Sequence, residues 1–209
     1  MKKLLHICAA MRGEKSRTLI VASAFLEKFN ETHPDWTVET LDVFAEPLPE
    51  ITRDVTDGKY LLMADGEISD ILKPSWLEIK QHINRFLSAD AYLISTPMWN
   101  FSIPYRLKHY IDVIAQPQYL FRYTAQGVDG LAKGRKMVVI TSRGGDYTPE
   151  SPICALDYQE PYLRTIFGFV GVTDITFINA QPMDARGREI MKEQLDAAQN
   201  RAREIAIKF

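Results

Sequence analysis

Three short segments combine residue types from which a binding site could be built. Residues 9–18 read Ala-Ala-Met-Arg-Gly-Glu-Lys-Ser-Arg-Thr, residues 97–104 read Pro-Met-Trp-Asn-Phe-Ser-Ile-Pro, and residues 141–145 read Thr-Ser-Arg-Gly-Gly. Each segment begins at or follows the end of a short apolar run. In that order they offer hydroxyls beside cations, aromatic rings between prolines, and paired glycines.

The first segment could bind a phosphate. Ser16 and Thr18 stand where a helix is predicted to begin, and a helix N-terminus supplies free N–H groups and the positive end of the helix dipole. The segment lacks the Gly-Lys-Ser/Thr of a P-loop, and its single glycine, Gly13, argues against the dinucleotide-binding fingerprint. Taken alone, it fits a simple capped helix start equally well.

The second segment could hold a flat ring. Pro97 and Pro104 would make the turn rigid enough to present backbone N–H groups to the edge of a ring, while Trp99 and Phe101 pack on it or wall its pocket. A loop buried beneath another element or at a dimer interface would carry the same residues, and both interpretations can hold together.

The third segment could bring the backbone close to a ligand. Gly144 and Gly145 permit positive φ, and Ser142 adds a hydroxyl. An ordinary glycine turn is the better explanation of this segment alone. The inference of a site therefore depends on the three segments lying together.

Alternating apolar runs and helical patterns predict how the segments are arranged. Strands are predicted at residues 4–10, 36–43, 91–96, 136–141 and 174–179. Helices are predicted at residues 16–29, 59–64, 74–87, 106–114, 157–169 and 187–207, with a long glycine-containing connection around residues 127–134.

These elements predict one α/β domain over residues 1–209. Continuously apolar strands indicate a parallel sheet covered by helices on both faces, and right-handed crossovers favour 2-1-3-4-5 as the order of the five strands. In such sheets, ligands bind at the carboxyl ends of the strands beside the switch in strand order. The loops at that place follow strands one, three and four, and they are the three segments described above.

Composition restricts the possible partners. The chain has 25 Lys and Arg against 27 Asp and Glu, a formal charge of −2, which argues against nucleic acid. Cys8 and Cys154 lie far apart, so a reduced, cytoplasmic setting with structural thiols is expected. The N-terminus reaches Arg12 and Glu14 too soon for a signal peptide. No apolar run is long enough for a membrane span, and no metal site is expected.

The chain resembles a known family, the FMN-dependent NADH azoreductases, which are dimeric flavodoxin-like quinone reductases. The resemblance covers nearly the whole chain. The segments that carry it are residues 97–101, 107–112, 121–124, 139–145, 161–163 and 167–171, together with Asp174. It implies a flavodoxin-like fold, FMN as cofactor, NADH or NADPH as electron donor, a homodimer, and the reduction of quinones and of azo or nitro aromatic compounds.

The resemblance also implies which residues bind FMN, and they fall in the same three segments. The phosphate would be held by Ser16, Arg17 and Thr18, the ribityl chain and ring would contact Pro97, Met98, Trp99, Asn100 and Phe101, and the ring would meet Ser142, Arg143, Gly144 and Gly145 on its other side.

Two positions depart from the family pattern. Ala10, or Ala9 by a one-residue shift, stands where a serine is usual, and the lost hydroxyl would weaken FMN binding by about 1–2 kcal/mol unless a water or backbone group replaces it. Trp99 stands where a tyrosine is common, which would narrow the pocket and alter the choice of acceptor. Neither change removes the redox chemistry, because the flavin carries it.

Four aromatic residues are candidates for the walls of the acceptor pocket: Phe101, Tyr119, Phe121 and Tyr147. For each alone, packing is the better explanation; the resemblance favours Phe101 and Phe121 and implies that a second subunit completes each pocket. No essential acid or base is expected, because the four histidines fit structural positions better. One shared site for donor and acceptor predicts ping-pong kinetics.

Three other functions fit this fold less well. A non-enzymatic flavodoxin-type electron carrier, the main alternative, tends to be smaller and strongly acidic. A phosphoaspartate receiver domain needs acidic residues after strand one, where this chain has Ala9 and Ala10. A hydrolase would need a Gly-x-Ser-x-Gly turn, which is absent. Arg122 and Arg186 are candidates for the 2′-phosphate of NADPH, so the preferred donor stays open.

Overall fold

A computed structural model describes all 209 residues and places five parallel strands in one sheet. The strands of this sheet are β1 (Lys2–Cys8), β2 (Trp36–Asp42), β3 (Ala91–Pro97), β6 (Lys136–Ser142) and β7 (Asp174–Ala180). Their order is β2-β1-β3-β6-β7, and every neighbouring pair is parallel. This confirms the predicted α/β fold and strand order, since β6 and β7 are the fourth and fifth strands of the sheet.

Six helices cover the two faces of the sheet. They are α1 (Arg17–Thr32), α2 (Arg53–Met63), α3 (Lys73–Leu87), α4 (Tyr105–Ile114), α5 (Gln159–Phe169) and α6 (Gly187–Lys208). Successive side chains of a strand point to opposite faces. Leu4 accordingly packs in a core with α1 and α6, whereas Leu5 packs in a larger core with α3, α4 and α5. None of the helices is both long and apolar enough to cross a membrane.

Two predicted regions differ from the structure. Helix α2 begins at Arg53, six residues before the predicted Lys59, because the Thr52 hydroxyl accepts the Val55 N–H at 3.3 Å and caps the helix there. The predicted connection around residues 127–134 contains an antiparallel hairpin of β4 (Phe121–Thr124) and β5 (Gly127–Gly130). These strands are short and mostly exposed, so they lack the apolar pattern that reveals the others.

The first strand is also shifted from its predicted position. It runs from Lys2 to Cys8 instead of from residue 4 to residue 10, and Ala9 and Ala10 belong to the loop that follows. The Ala9 N–H still donates to the Ser95 carbonyl at 2.8 Å, which holds the start of this loop against β3. The first loop therefore leaves the sheet directly at Ala10.

Candidate functional site

The carboxyl ends of β1, β3 and β6 open into one cleft of about 240 Å³. These strands are neighbours in the sheet, so their following loops must meet at the same edge. The residues that line the cleft are Ala10, Met11, Arg12, Ser16, Arg17, Pro97, Met98, Trp99, Ser142, Arg143, Gly144, Met183 and Asp184. The structure thus brings the three sequence segments together, as predicted.

The loop after β1 contributes a buried backbone group without a partner. Ala10 is only 4% exposed, and its N–H makes no hydrogen bond within the protein. The N–H groups of Met11 and Arg12 are also without an acceptor. Buried N–H groups are almost always paired in folded proteins, so an acceptor from outside the chain fits this loop.

Ser16 and Thr18 differ in what their hydroxyls do. Ser16 lines the cleft and caps α1, since its Oγ accepts the Leu19 N–H at 3.3 Å. Thr18 was also expected at the phosphate, but it is fully buried and does not line the cleft. Its Oγ1 lies 2.7 Å from the Ser142 Oγ, so it holds the loop after β6 in place.

The loop after β3 folds into a two-residue hairpin. Trp99 and Ser102 exchange two backbone hydrogen bonds of 2.9 Å, and Asn100 and Phe101 between them have φ of 47° and 69°. Positive φ at both central residues is the backbone of a type I′ turn, where a phenylalanine is uncommon. The Phe101 carbonyl accepts the Tyr158 N–H at 3.0 Å, and this turn keeps the Phe101 ring 45% exposed.

The two glycines of the loop after β6 let the backbone approach its neighbours because a side chain would clash there, and not because the backbone needs a positive φ. Gly144 and Gly145 do not have the positive φ that the sequence suggested. A Cβ at Gly144 would lie 3.1 Å from the Asp184 carboxylate, and one at Gly145 would lie 3.2 Å from the Tyr147 ring. Both glycines have N–H groups with no partner in the protein.

Backbone hydrogen bonds hold this loop against the end of β7 and the residues that follow it. The Arg143 N–H donates to Ala180 at 3.0 Å, the Met183 N–H donates to Arg143 at 2.9 Å, and the Asp184 N–H donates to Gly144 at 3.0 Å. Residues after the last strand therefore fix one wall of the cleft.

Arg143, expected to contact the ring, directs its side chain beneath the cleft. The side chain is 1% exposed, and its guanidinium donates to Asp157 at 2.8 Å, to Thr141 at 3.1 Å and to Gln159 at 3.2 Å. Burial lowers the pKa of the Arg143 guanidinium from its ordinary value, while Asp157 and Glu160 oppose that shift. A buried guanidinium is retained here because carboxylates pair with it.

The Arg143 network also reaches the loop after β3. The Gln159 side-chain amide, which accepts from Arg143, donates its own N–H to the Pro97 carbonyl at 2.9 Å. One buried network thus joins two walls of the cleft.

None of the four expected pocket aromatics lines the cleft of this chain. Tyr119 stacks on Trp76 with ring centroids 6.3 Å apart, and the buried Phe121 packs on Phe169 at 4.7 Å. Phe101 and Tyr147 lie on the loops after β3 and β6, close in sequence to the lining residues Trp99 and Gly144. A second, mainly apolar depression adjoins the cleft through Trp99; its other lining residues are Asn100, Ser102, Ile103, Tyr105, Lys108 and Tyr162.

Four lining residues were not identified from the sequence: Met11, Arg12, Met183 and Asp184. Met11 and Arg12 lie within the first segment. Their position just before Ser16 and Thr18 could have identified them as lining residues. Met183 and Asp184 follow the fifth strand, which does not border the switch in strand order. Asp184 forms an ion pair with Arg17 at 2.7 Å, and nothing in its local sequence indicates that pairing.

No histidine faces the cleft. His6 lies in β1, where its Nε2 is 2.8 Å from the Ser95 Oγ, and burial lowers its pKa to about 4, so it is neutral at pH 7. The Nε2 of His109 is 2.8 Å from the Pro49 carbonyl. No group of three or more His, Cys, Asp or Glu side chains is placed to hold a metal ion.

The sequence matches the protein family described by a flavodoxin-like fold over residues 2–206. A protein of Nitratidesulfovibrio vulgaris named FMN-dependent NADH:quinone oxidoreductase is 38% identical over 209 residues, covering 100% of both chains. A protein of the same name from Rhizobium meliloti is 39% identical over 183 residues, covering 87% of this chain and 86% of its own.

Two solved structures are also similar. A crystal structure of an azoreductase from Bacillus anthracis has a TM-score of 0.91 at 28% identity, with 100% of both chains covered. An FMN-dependent NADH-azoreductase from the same species, in complex with FMN, has a TM-score of 0.85 at 28% identity, covering 99% of this chain and 100% of that one.

Proposed function

This chain belongs to the family with the flavodoxin-like fold, and we propose on that premise that it is an FMN-dependent enzyme that reduces quinones and azo compounds with electrons from NADH. Relatives bearing the name FMN-dependent NADH:quinone oxidoreductase and an azoreductase in complex with FMN support this reaction. Nitroaromatic acceptors, use of NADPH and a ping-pong mechanism are finer parts of the same proposal.

The observation that carries the proposal is the set of unpaired backbone N–H groups around one cleft. Ala10 and Met11 on the first loop, Asn100 on the second, and Gly144 and Gly145 on the third donate to nothing in the protein. Ala10, Met11 and Gly144 line the cleft, so the first and third loops present donors to a shared space, and Asn100 lines the depression that adjoins it. A flat ligand with acceptors along its edge and an anionic tail would satisfy them.

The residues fit FMN at both ends. At one end, Arg12, Arg17 and the start of α1 suit a phosphate, because the first N–H groups of a helix have no acceptor within it. At the other end, Pro97, Met98 and Trp99 offer an apolar wall for a ring. When bound, FMN would supply two-electron redox chemistry between a nicotinamide donor and the acceptor.

In this proposal the chain's own residues bind and orient the cofactor and substrates and do not transfer protons. His6 is buried, neutral and bonded to Ser95 within the sheet, so it cannot serve as a general base in the cleft. Phe101 is exposed on the turn that follows the lining residues Pro97, Met98 and Trp99, and in this proposal its ring covers a flat substrate and excludes water. If donor and acceptor use the same site in turn, the kinetics follow the ping-pong order.

Two further expectations remain proposals. A homodimer is supported by aromatic side chains exposed near the cleft, at Phe101, Tyr105 and Tyr158. A second subunit would also account for a pocket that Tyr119 and Phe121 of the same chain do not reach. A cytoplasmic setting is supported by Cys8 and Cys154, which form no disulfide.

The spectrum of the purified protein tests the proposed function. We expect absorption in the visible flavin bands, bleaching on anaerobic addition of NADH, and recovery when a quinone is added. Initial rates at several NADH and quinone concentrations should give parallel double-reciprocal lines.

Two outcomes would contradict the proposal. Protein that is colourless and takes up no FMN on titration would remove the cofactor and the enzyme together. Bound flavin that NADH does not reduce would instead favour the non-enzymatic electron carrier.

A further inference from the structure

We infer that Asp184 is a specificity-determining residue: its ion pair with Arg17 occupies the phosphate end of the cleft, so a flavin phosphate must displace it. The inference rests on the proposed function and deepens it. Asp184 thereby sets how strongly the protein prefers a phosphorylated flavin over an unphosphorylated one, and it holds affinity for the phosphorylated form below what the arginines alone would give.

The ion pair joins two parts of the chain that are far apart in sequence. The Arg17 Nη1 lies 2.7 Å from the Asp184 Oδ1, and both residues line the cleft. Arg17 is the first residue of α1, whereas Asp184 lies between β7 and α6. The pair thus spans the same end of the cleft at which the phosphate is expected.

The backbone fixes Asp184 at this position. Its N–H and that of Ala185 both donate to the Gly144 carbonyl at 3.0 Å. Its Oδ2 lies 3.1 Å from the place that a Cβ on Gly144 would occupy, so the carboxylate rests on the glycine. Arg17 has a longer and more flexible side chain than Asp184, so it is the partner that can turn toward another anion.

The remaining charges near this end favour an anion. Arg12 lines the cleft and has no ion-pair partner within 4.0 Å. Arg143 is already neutralised by Asp157 and Glu160 beneath the cleft, and Arg186 pairs with Asp146 at 2.8 Å. Asp184 is therefore the one acidic side chain that lines the cleft.

A phosphate monoester carries close to two negative charges at neutral pH. The phosphate is repelled by the Asp184 carboxylate and competes with that carboxylate for the Arg17 guanidinium. Charge-assisted bonds from arginine to phosphate are strong and short, so binding would exchange one anionic partner for another. Riboflavin lacks the phosphate and would leave the Arg17–Asp184 pair intact.

Titration of the flavin-free protein with FMN and with riboflavin tests the inference. For Asp184→Asn we expect FMN to bind about fivefold more tightly, a size typical of a partly exposed charge, and riboflavin to bind unchanged. Arg17→Gln should weaken FMN but not riboflavin. The gain from Asp184→Asn should shrink in the Arg17→Gln background, because the two residues compete through one guanidinium.

Glu189→Gln is the matched control, since it removes one negative charge from an exposed site five residues away. It should leave both affinities unchanged. Weaker FMN binding by Asp184→Asn, an equal gain for riboflavin, or an equal gain in the control would each overturn the inference. Failure of the unsubstituted protein to bind FMN would overturn the proposed function itself, so the two failures are distinct.

Discussion

The two faces of the sheet support the cleft in opposite ways. On the face covered by α1 and α6, the groups beneath the loops are neutral: His6 bonds to Ser95, and Thr18 bonds to Ser142. On the face covered by α5, the supporting group is a buried cation, Arg143, paired with carboxylates.

The difference shows that a buried group stays charged where its ordinary pKa is far from neutral and opposite charges pair with it. His6 and Arg143 are both almost completely buried. His6, whose ordinary pKa is near neutral, is neighboured mainly by hydroxyls, so burial keeps it uncharged. The Arg143 guanidinium, whose ordinary pKa lies far above 7, stays ionised and pairs with Asp157 at 2.8 Å. The stability contributed by the neutral face should therefore depend on pH. The stability contributed by the ionic face should be lost when one charged partner is removed.

Breaking the ionic face should give the largest effect. Arg143→Met leaves Asp157 and Glu160 without their buried partner, and we expect the free energy of unfolding to fall by about 3–5 kcal/mol. Urea denaturation of the flavin-free protein measures the change. Since the network reaches Pro97, FMN affinity should fall as well.

Arg201→Met is the control for this prediction. It breaks an exposed pair with Glu204, with side chains 60% and 63% exposed, and should cost less than about 1 kcal/mol. Equal effects of the two substitutions would mean that the Arg143 network contributes no more to stability than an exposed ion pair does.

Protonating the neutral face should give the next largest effect. The folded pKa of His6 is about 4, below the value of 6.5 for an unperturbed histidine, so the unfolded state takes up a proton more readily. Stability should therefore be full above pH 6.5 and fall as pH drops toward 4, by about 3 kcal/mol from this group.

His6→Asn removes this titration and retains a side chain able to bond to Ser95. The free energy of unfolding, measured between pH 7 and pH 4 for both proteins, should fall more steeply with His6 present. Parallel curves would show that His6 does not contribute, because the other groups are common to both proteins.

Removing one hydroxyl from the neutral face should give the smallest effect. Thr18→Val breaks the 2.7 Å contact with Ser142 and should cost about 1 kcal/mol of stability. Thr56→Val, which removes an exposed hydroxyl that bonds only to the Thr52 carbonyl, should cost less. Thermal unfolding compares the two, and a larger loss from Thr56→Val would contradict the supporting role of Thr18.

The sequence predicted the sheet well because each central strand is a continuous apolar run. β3 and β6 are buried along nearly their whole length, so pattern alone reveals them. The β4–β5 hairpin was not predicted because its residues are mainly exposed and carry no such pattern. The helix start at Arg53 depends on a single cap residue, Thr52, in a stretch without clear periodicity.

The sequence also located the cleft, since the position of a loop follows from strand order. It did not reveal which way each side chain turns. Thr18 and Arg143 lie in the predicted loops but bond to Ser142 and Asp157, and these pairings depend on three-dimensional packing. Asp184 was missed for the same reason, because its partner Arg17 is 167 positions away.

The bonds that tie Arg143 and Gly144 to Ala180, Met183 and Asp184 set an order of events during synthesis. A nascent chain leaves the ribosome N-terminus first, so the sequences of all three cleft loops emerge well before the segment that braces the third. Until β7 and the residues just after it have emerged, the loop after β6 lacks the backbone hydrogen bonds that hold it in place. Capture of the cofactor is consequently a late step in biogenesis, and a translation product that stops before Asp184 would carry every predicted binding loop without an assembled site.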